Sequence, residues 1–223
     1  MILPDKILRS NRKTLSLTIK KDGQIIVQAP NKMSEEIIHN FIEQKQNWLA
    51  NKLAEITGNQ QKYSEVLNCK TYLLFGQQYS LVLADVKKIE VLQSQIVIPK
   101  KTEAHKIIHV LVNFYKKKAK EVLQKRLNYL QTILKITCNS FKIGNSKGKW
   151  GSCSSNGIIM LNWRVIMLPP ACIDYIIIHE LCHLVEMNHS KRFWTLVETF
   201  LPKFNEQRQN LREFGFLLDM YRE

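Results

Sequence analysis

The chain has 223 residues, 45% of them hydrophobic and 23% charged, with a formal net charge of +14. That length suits one large domain or two small ones, and that composition argues against a disordered, collagen-like or disulfide-dense protein. No apolar run approaches the ~20 residues that span a bilayer, and Pro4-Asp5-Lys6 interrupts the start too early for a secretory signal, so no membrane partner and a cytoplasmic location are expected.

The N-terminal third alternates short strands with turn residues. Leu15, Leu17 and Ile19 alternate with polar residues as in a half-buried strand, Lys21-Asp22-Gly23-Gln24 offers an Asp-Gly turn, and Ile25 to Gln28 reads as the returning strand, ended by Pro30. Ser34 can cap a helix with Glu35 and Glu36 in its first turn. Its inward stripe is expected to be Ile38, Phe41, Ile42, Lys45, Trp48, Leu49 and Leu53, with Gly58 just beyond its end. A strand over Gln78 to Leu83 follows, and then a hairpin of Ile89-Glu90-Val91 and Ile96-Val97-Ile98, closed by Pro99. A division is expected at about residue 100, giving a β-rich region with one helix over 1–100 and a second domain over 101–223.

The second part opens with the longest periodic segment, Ala104 to about Leu134, with Leu111, Tyr115, Ala119, Val122, Leu127, Leu130 and Leu134 on one side. Strands are expected over Thr137 to Ile143 and Gly157 to Asn162, separated by a glycine-rich turn, and Pro169-Pro170 suits the start of a new helix. Positive charge is concentrated here, with 13 Lys/Arg against 2 Asp/Glu over residues 101–170. A polyanion or nucleic acid could dock on this segment; the competing reading is a solvated lysine-rich helix face, since no nucleic-acid motif accompanies the charge. The cysteines Cys69, Cys138, Cys153, Cys172 and Cys182 form no C-x-x-C pair, which fits free thiols in a reducing compartment.

The chemistry-bearing segment is His179-Glu180-Leu181-Cys182-His183. On a helix, histidines four apart lie one turn apart on one face, where both imidazoles can reach a single tetrahedral zinc, and the intervening glutamate can take a proton from water at the metal. A catalytic zinc wants three protein ligands. His189 is the expected third, provided that the chain leaves the helix, with Asn188 as the stop, and that Ser190 caps a further helix with Phe193, Trp194, Val197 and Phe200 inside. Glu186 is the rival third ligand, and Asp174 and Glu186 are possible hydrogen-bond partners for a ligand histidine. The spacing is that of the metzincins, but Glu186 stands where they need a glycine and no later methionine turn can be placed.

Beyond this motif, Lys149-Trp150-Gly151-Ser152-Cys153-Ser154, Leu161-Asn162-Trp163-Arg164, Pro169-Pro170, Ile173-Asp174-Tyr175, Asn188-His189-Ser190 and Phe193-Trp194 together resemble the YgjP-like family of bacterial zinc metallopeptidases. Upstream, Arg12-Lys13-Thr14, Asp22-Gly23, Ala29-Pro30, Trp48 and Gly76 extend the resemblance over nearly the whole chain. That family is similar to the minimal gluzincin-like peptidases and, more distantly, to the SprT-like proteases. The resemblance implies an α+β fold whose zincin-like catalytic domain packs a small sheet on the zinc helix. It also implies His179, His183 and His189 as zinc ligands and Glu180 as catalytic base. Lys149 departs from the family, which has an arginine there; the charge is kept and a bidentate donor is lost.

Trp150, Gly151, Ser152 and Asn162 are the candidate substrate-binding residues, with Gly151 allowing close backbone approach and strand Gly157–Asn162 read as the edge to which a peptide pairs. Cys153 and Cys182 are read as small packing residues, and Tyr175, Lys149 and Arg164 as candidates for binding an oxyanion. The expected function is thus zinc-dependent hydrolysis of peptide bonds in a peptide or protein substrate. The alternatives are a zinc hydrolase of a nucleotide or other small phosphorylated substrate, a nucleic-acid-associated protease, and a zinc-stabilised binding module. The last has no use for Glu180.

Overall fold

The computed structural model describes residues 1–20, 22–68 and 71–221, with side chains for all of these except residues 59 and 62–68. Lys21 of the expected turn and Cys69 lie outside the described residues. The chain divides into two compact units, Met1–Ser64 and Glu65–Glu223, so the division expected near residue 100 falls inside the second unit.

In the first unit, β1 (Lys6–Ser10), β2 (Ser16–Ile19) and β3 (Ile25–Pro30) form a sheet in the order β1-β3-β2. β2 and β3 pair antiparallel, Leu17 opposite Val27, around a turn in which Gly23 takes φ +87°, the left-handed conformation that an Asp-Gly turn supplies. The sequence reading missed β1, whose five residues are all exposed and carry no alternation. Ser34 caps α1 (Glu35–Gln44) as expected, its hydroxyl accepting from the Ile37 amide at 3.4 Å.

The single expected helix is two. The backbone turns at Lys45 (φ −100°, ψ 6°), and α2 then runs Gln46–Asn68, straight past Gly58. An interior glycine costs a helix only about 1 kcal/mol and does not end it. Ile38, Ile42 and Leu49 join Ile25, Val27 and Ala29 in the core of this unit, whereas Trp48 is 45% exposed. Trp48 stands one position before the buried Leu49 and so about 100° around α2 from it, which turns it off the buried face.

The second unit begins with β4 (Thr71–Leu74), β5 (Gln77–Ala84), β6 (Glu90–Leu92) and β7 (Gln95–Pro99), ordered β4-β5-β7-β6. This sheet is tied to residues far along the chain, which is why no division falls at residue 100. The Phe75 and Gly76 amides donate to the carbonyls of Ile166 and Met167, and the buried Tyr115 hydroxyl donates to the Leu73 carbonyl at 2.9 Å. Tyr115 belongs to α3 (Ile107–Leu134), the long helix expected from its period. Its buried stripe includes Leu123 where the reading placed Val122, which is half-buried. The basic run is partly engaged: Lys125 pairs with Glu121 at 3.1 Å, and Arg126 grips Asp174 through two bonds of 2.6 Å.

Next come β8 (Ser140–Gly144), β9 (Gly151–Cys153) and β10 (Ile158–Asn162), then a 3-10 turn over Trp163–Met167, α4 (Pro170–Cys182), α5 (Lys191–Phe200) and α6 (Phe204–Glu213). The small sheet is ordered β8-β10-β9 and lies against α4 through β9 and β10, so the expected α+β arrangement with a sheet on the histidine-bearing helix is present. The expected peptide-pairing edge needs correction. β10 is the central strand, parallel to β8 and antiparallel to β9, with both edges occupied; the free edge beside α4 is that of β9. Among the described residues no helix is long and apolar enough to cross a membrane.

Candidate metal centre

Pro170 stands in the first turn of α4, where its missing amide costs nothing. The helix is apolar nearly all round, with Ile173, Ile176, Ile177, Leu181 and Cys182 each at most 4% exposed, as suits a helix buried in a domain interior. Tyr175, His179 and His183 follow one another at i, i+4 along a single stripe. The helix ends at Cys182, earlier than the stop expected at Asn188, and three tight turns carry the chain away: the Leu184 amide bonds to Leu181, and those of Val185 and Glu186 to Cys182. Ser190 then caps α5 through the Phe193 amide at 3.3 Å, which places His189 directly before a helix start.

This path brings three imidazoles together. His189 Nε2 lies 3.1 Å from His179 Nε2 and 3.2 Å from His183 Nε2, and the three residues offer ligand atoms within 4.8 Å of one another. Around a tetrahedral zinc with Zn–N bonds of 2.0–2.1 Å, neighbouring nitrogens stand about 3.3–3.4 Å apart, so the donor set fits such an ion. His183 Nδ1 donates to the Glu186 carbonyl at 3.1 Å, which leaves its Nε2 lone pair for a ligand. Burial, then His183, His189 and Arg208, push His179 down to about 3, and burial lowers His183 as well, so both rings are neutral donors near pH 7. His179 Nδ1 is buried with no hydrogen-bond partner among the described residues, so nothing there fixes its tautomer as Glu186 does for His183.

Aromatic rings hold the cluster. Phe193 stacks on His183 at 4.4 Å, and Trp194 stacks on His189 at 5.5 Å. Of the expected histidine partners, Glu186 acts through its backbone carbonyl, while Asp174 faces Arg126 instead.

Glu180 is 6% exposed, and burial pushes its carboxyl up to about 7 against the opposing pull of Lys149. Strand β9 passes directly over it. A Cβ on Gly151 would come within 2.6 Å of Glu180 Oε1, so only glycine leaves room for the carboxylate. Cys153, two residues on and hence on the same face of the strand, has its thiol pushed up to about 11 by burial, then Glu180, then Cys138, and stays neutral.

The other proposed substrate residues fare differently. Trp150 is half-buried, and its carbonyl accepts from the Asn162 amide at 2.8 Å. Ser152 lies on the face of β9 opposite Gly151 and Cys153. The Asn162 side chain is committed elsewhere: its amide donates to the carbonyls of Ser146 and Lys149, and its oxygen accepts from the Arg164 amide, so it pins the loop before β9.

Arg164 leaves the oxyanion candidates. It is 2% exposed and donates to the Met220 carbonyl at 2.8 and 2.6 Å and to Asn145 at 2.6 Å. Tyr175 stays beside the centre, edge-on to His179 at 5.8 Å. One neighbour was missed: Arg208 of α6 places its guanidinium 4.8 Å from the Trp194 ring centroid. It sits 19 positions beyond His189 in an ordinary charged helix, and no local signal could have found it.

Residues 13–214 match the family described as YgjP-like, metallopeptidase domain. No curated protein matches the chain. Among solved structures, the metallopeptidase zymogen of Pyrococcus abyssi, abylysin, shares 28% identity over 40% of this chain and 91% of that one, with a TM-score of 0.38.

Proposed function

The chain belongs to the YgjP-like metallopeptidase family, and from that premise we propose that it is a zinc-dependent peptidase in which His179, His183 and His189 hold the ion and Glu180 manages the proton of hydrolysis. The observation that carries this reading is the convergence of three imidazole nitrogens, 3.1 and 3.2 Å apart, next to a buried carboxylate. When bound, zinc lowers the pKa of water toward ~7 and polarises a carbonyl.

The chain's own residues do the rest. Glu180 takes a proton from the attacking water, holds it in a pocket that already favours the protonated carboxyl, and passes it to the leaving nitrogen. Lys149 keeps part of the carboxyl population ionised and ready to accept. Among the described residues no strand pairs with the outer edge of β9, and an extended peptide can add there as a further strand, which would lay its scissile bond near Gly151 and Glu180.

Two results test the reading. Removing metal with a chelator should abolish cleavage of unstructured peptides, and zinc should restore it; activity confined to nucleotides would sink the proposal. Gly151→Ala forces the Glu180 carboxylate aside, since the new methyl would stand 2.6–3.0 Å from three of its side-chain atoms. That variant should keep its zinc yet cleave at least about tenfold more slowly, because a misplacement of about 1 Å can cost 100-fold. Steady-state kinetics beside elemental analysis check it.

A further inference from the structure

Arg208 sits one aromatic ring away from the metal centre. Its guanidinium lies 4.8 Å from the centroid of Trp194, and that ring stacks on His189 at 5.5 Å and 22° and lies 5.9 Å from His179. Phe204 stacks on Trp194 at 5.5 Å and 16°, so the ring that carries Arg208 is itself held. The arginine's charge is felt at both Tyr175 and His179.

Arg208 is itself exposed, and among the described residues no hydrogen bond or ion pair engages its guanidinium. Packing the flat face of a guanidinium on tryptophan leaves its edge N–H groups free, and that edge is the part that matches a carboxylate in two parallel bonds. The surroundings favour an anion as well. A ligand set of histidines brings no negative charge to offset a divalent ion, and Lys149 adds a cation beside Glu180.

We infer that Arg208 is a specificity-determining residue that pairs with a carboxylate of the peptide substrate, presented by an acidic side chain near the scissile bond or by a free C-terminus. The inference rests on the peptidase reading and adds the substrate class to it.

The test compares peptides that differ in one group: Asp or Glu against Asn or Gln on either side of the cleaved bond, each with a free or an amidated C-terminus. For the zinc-loaded wild type, the carboxylate form should be cleaved with kcat/KM about tenfold above its amide, about 1.4 kcal/mol, chiefly through KM. Arg208→Gln should bring the ratio to about one, and Arg208→Lys should restore part of it, an outcome that a merely structural role would not give. Binding supplies a second readout: fluorescence anisotropy on the Glu180→Gln protein should show the same tenfold preference, lost when Arg208→Gln is added. A preference that follows amidation identifies the C-terminus as the source, and one that follows Asp-to-Asn exchange identifies the side chain. Equal cleavage of both forms by the wild type, or a preference that survives Arg208→Gln, overturns the inference and leaves the peptidase reading standing. No cleavage of any peptide by zinc-loaded wild type overturns both.

Discussion

Glu180→Gln should keep the fold and the zinc and lose peptide hydrolysis by about 100- to 10,000-fold, the usual worth of a positioned proton acceptor. The expectation follows from how little else the substitution changes. Glu180 is 6% exposed and fills the space under Gly151, where a Cβ would already meet three of its atoms within 3.0 Å. Glutamine has the same shape, so the pocket stays filled and β9 keeps its place. The carboxyl sits where burial disfavours its charged form, pushed up to about 7, so a neutral amide costs no buried ion pair. In the proposed centre the three histidines would hold the ion through nitrogens that Glu180 does not touch, so zinc stoichiometry should remain that of the wild type. The melting temperature should move by no more than a few degrees. What glutamine cannot do is accept a proton. Cleavage by this variant at the wild-type rate would remove Glu180 from the chemistry, while loss of zinc would show that the carboxylate supports the ligands instead.

Elements whose signal is local were legible in the sequence. The histidine pair was visible because a spacing of four puts both rings on one helical face, and Ser34 and Ser190 because a cap needs a side-chain acceptor at one position. The long helix announced itself through its period. Elements that exist only because a distant partner completes them were not legible. β9 is Gly-Ser-Cys, which has no strand propensity of its own and is a strand because β10 pairs with it. In the sheet of residues 71–99 the last three strands were legible, but β4 was not, nor was the attachment of the sheet to the second unit through Tyr115, Ile166 and Met167. Reading β10 as the substrate edge failed for this reason, since edge or centre is a property of the whole sheet. The turn at Lys45 carries neither proline nor glycine to mark it.

Replacing His179 or His183 by alanine should leave the purified protein without zinc, and His189→Ala should weaken binding by more than about 100-fold, whereas wild type should carry close to one zinc per chain. The three cases differ in how the fold supports them. His179 and His183 stand on the rigid, buried α4, and His183 is further aimed by its bond to the Glu186 carbonyl. His189 is exposed and lies in the segment between helices, held by the Ser190 cap on α5 and by the face of Trp194. Even groups that only orient a ligand are worth 10- to 100-fold in metal affinity, so loss of a ligand should cost more than that. Two ligands on α4 retain some affinity, which is why a competition titration against a chelator of known strength is the measurement, with elemental analysis beside it. Glu186→Ala is the control. The backbone carbonyl, not the carboxylate, meets His183, and the three-residue donor set contains no glutamate, so this variant should bind zinc within a few-fold of wild type. Unchanged affinity in His189→Ala together with a large loss in Glu186→Ala would exchange the two in the ligand set.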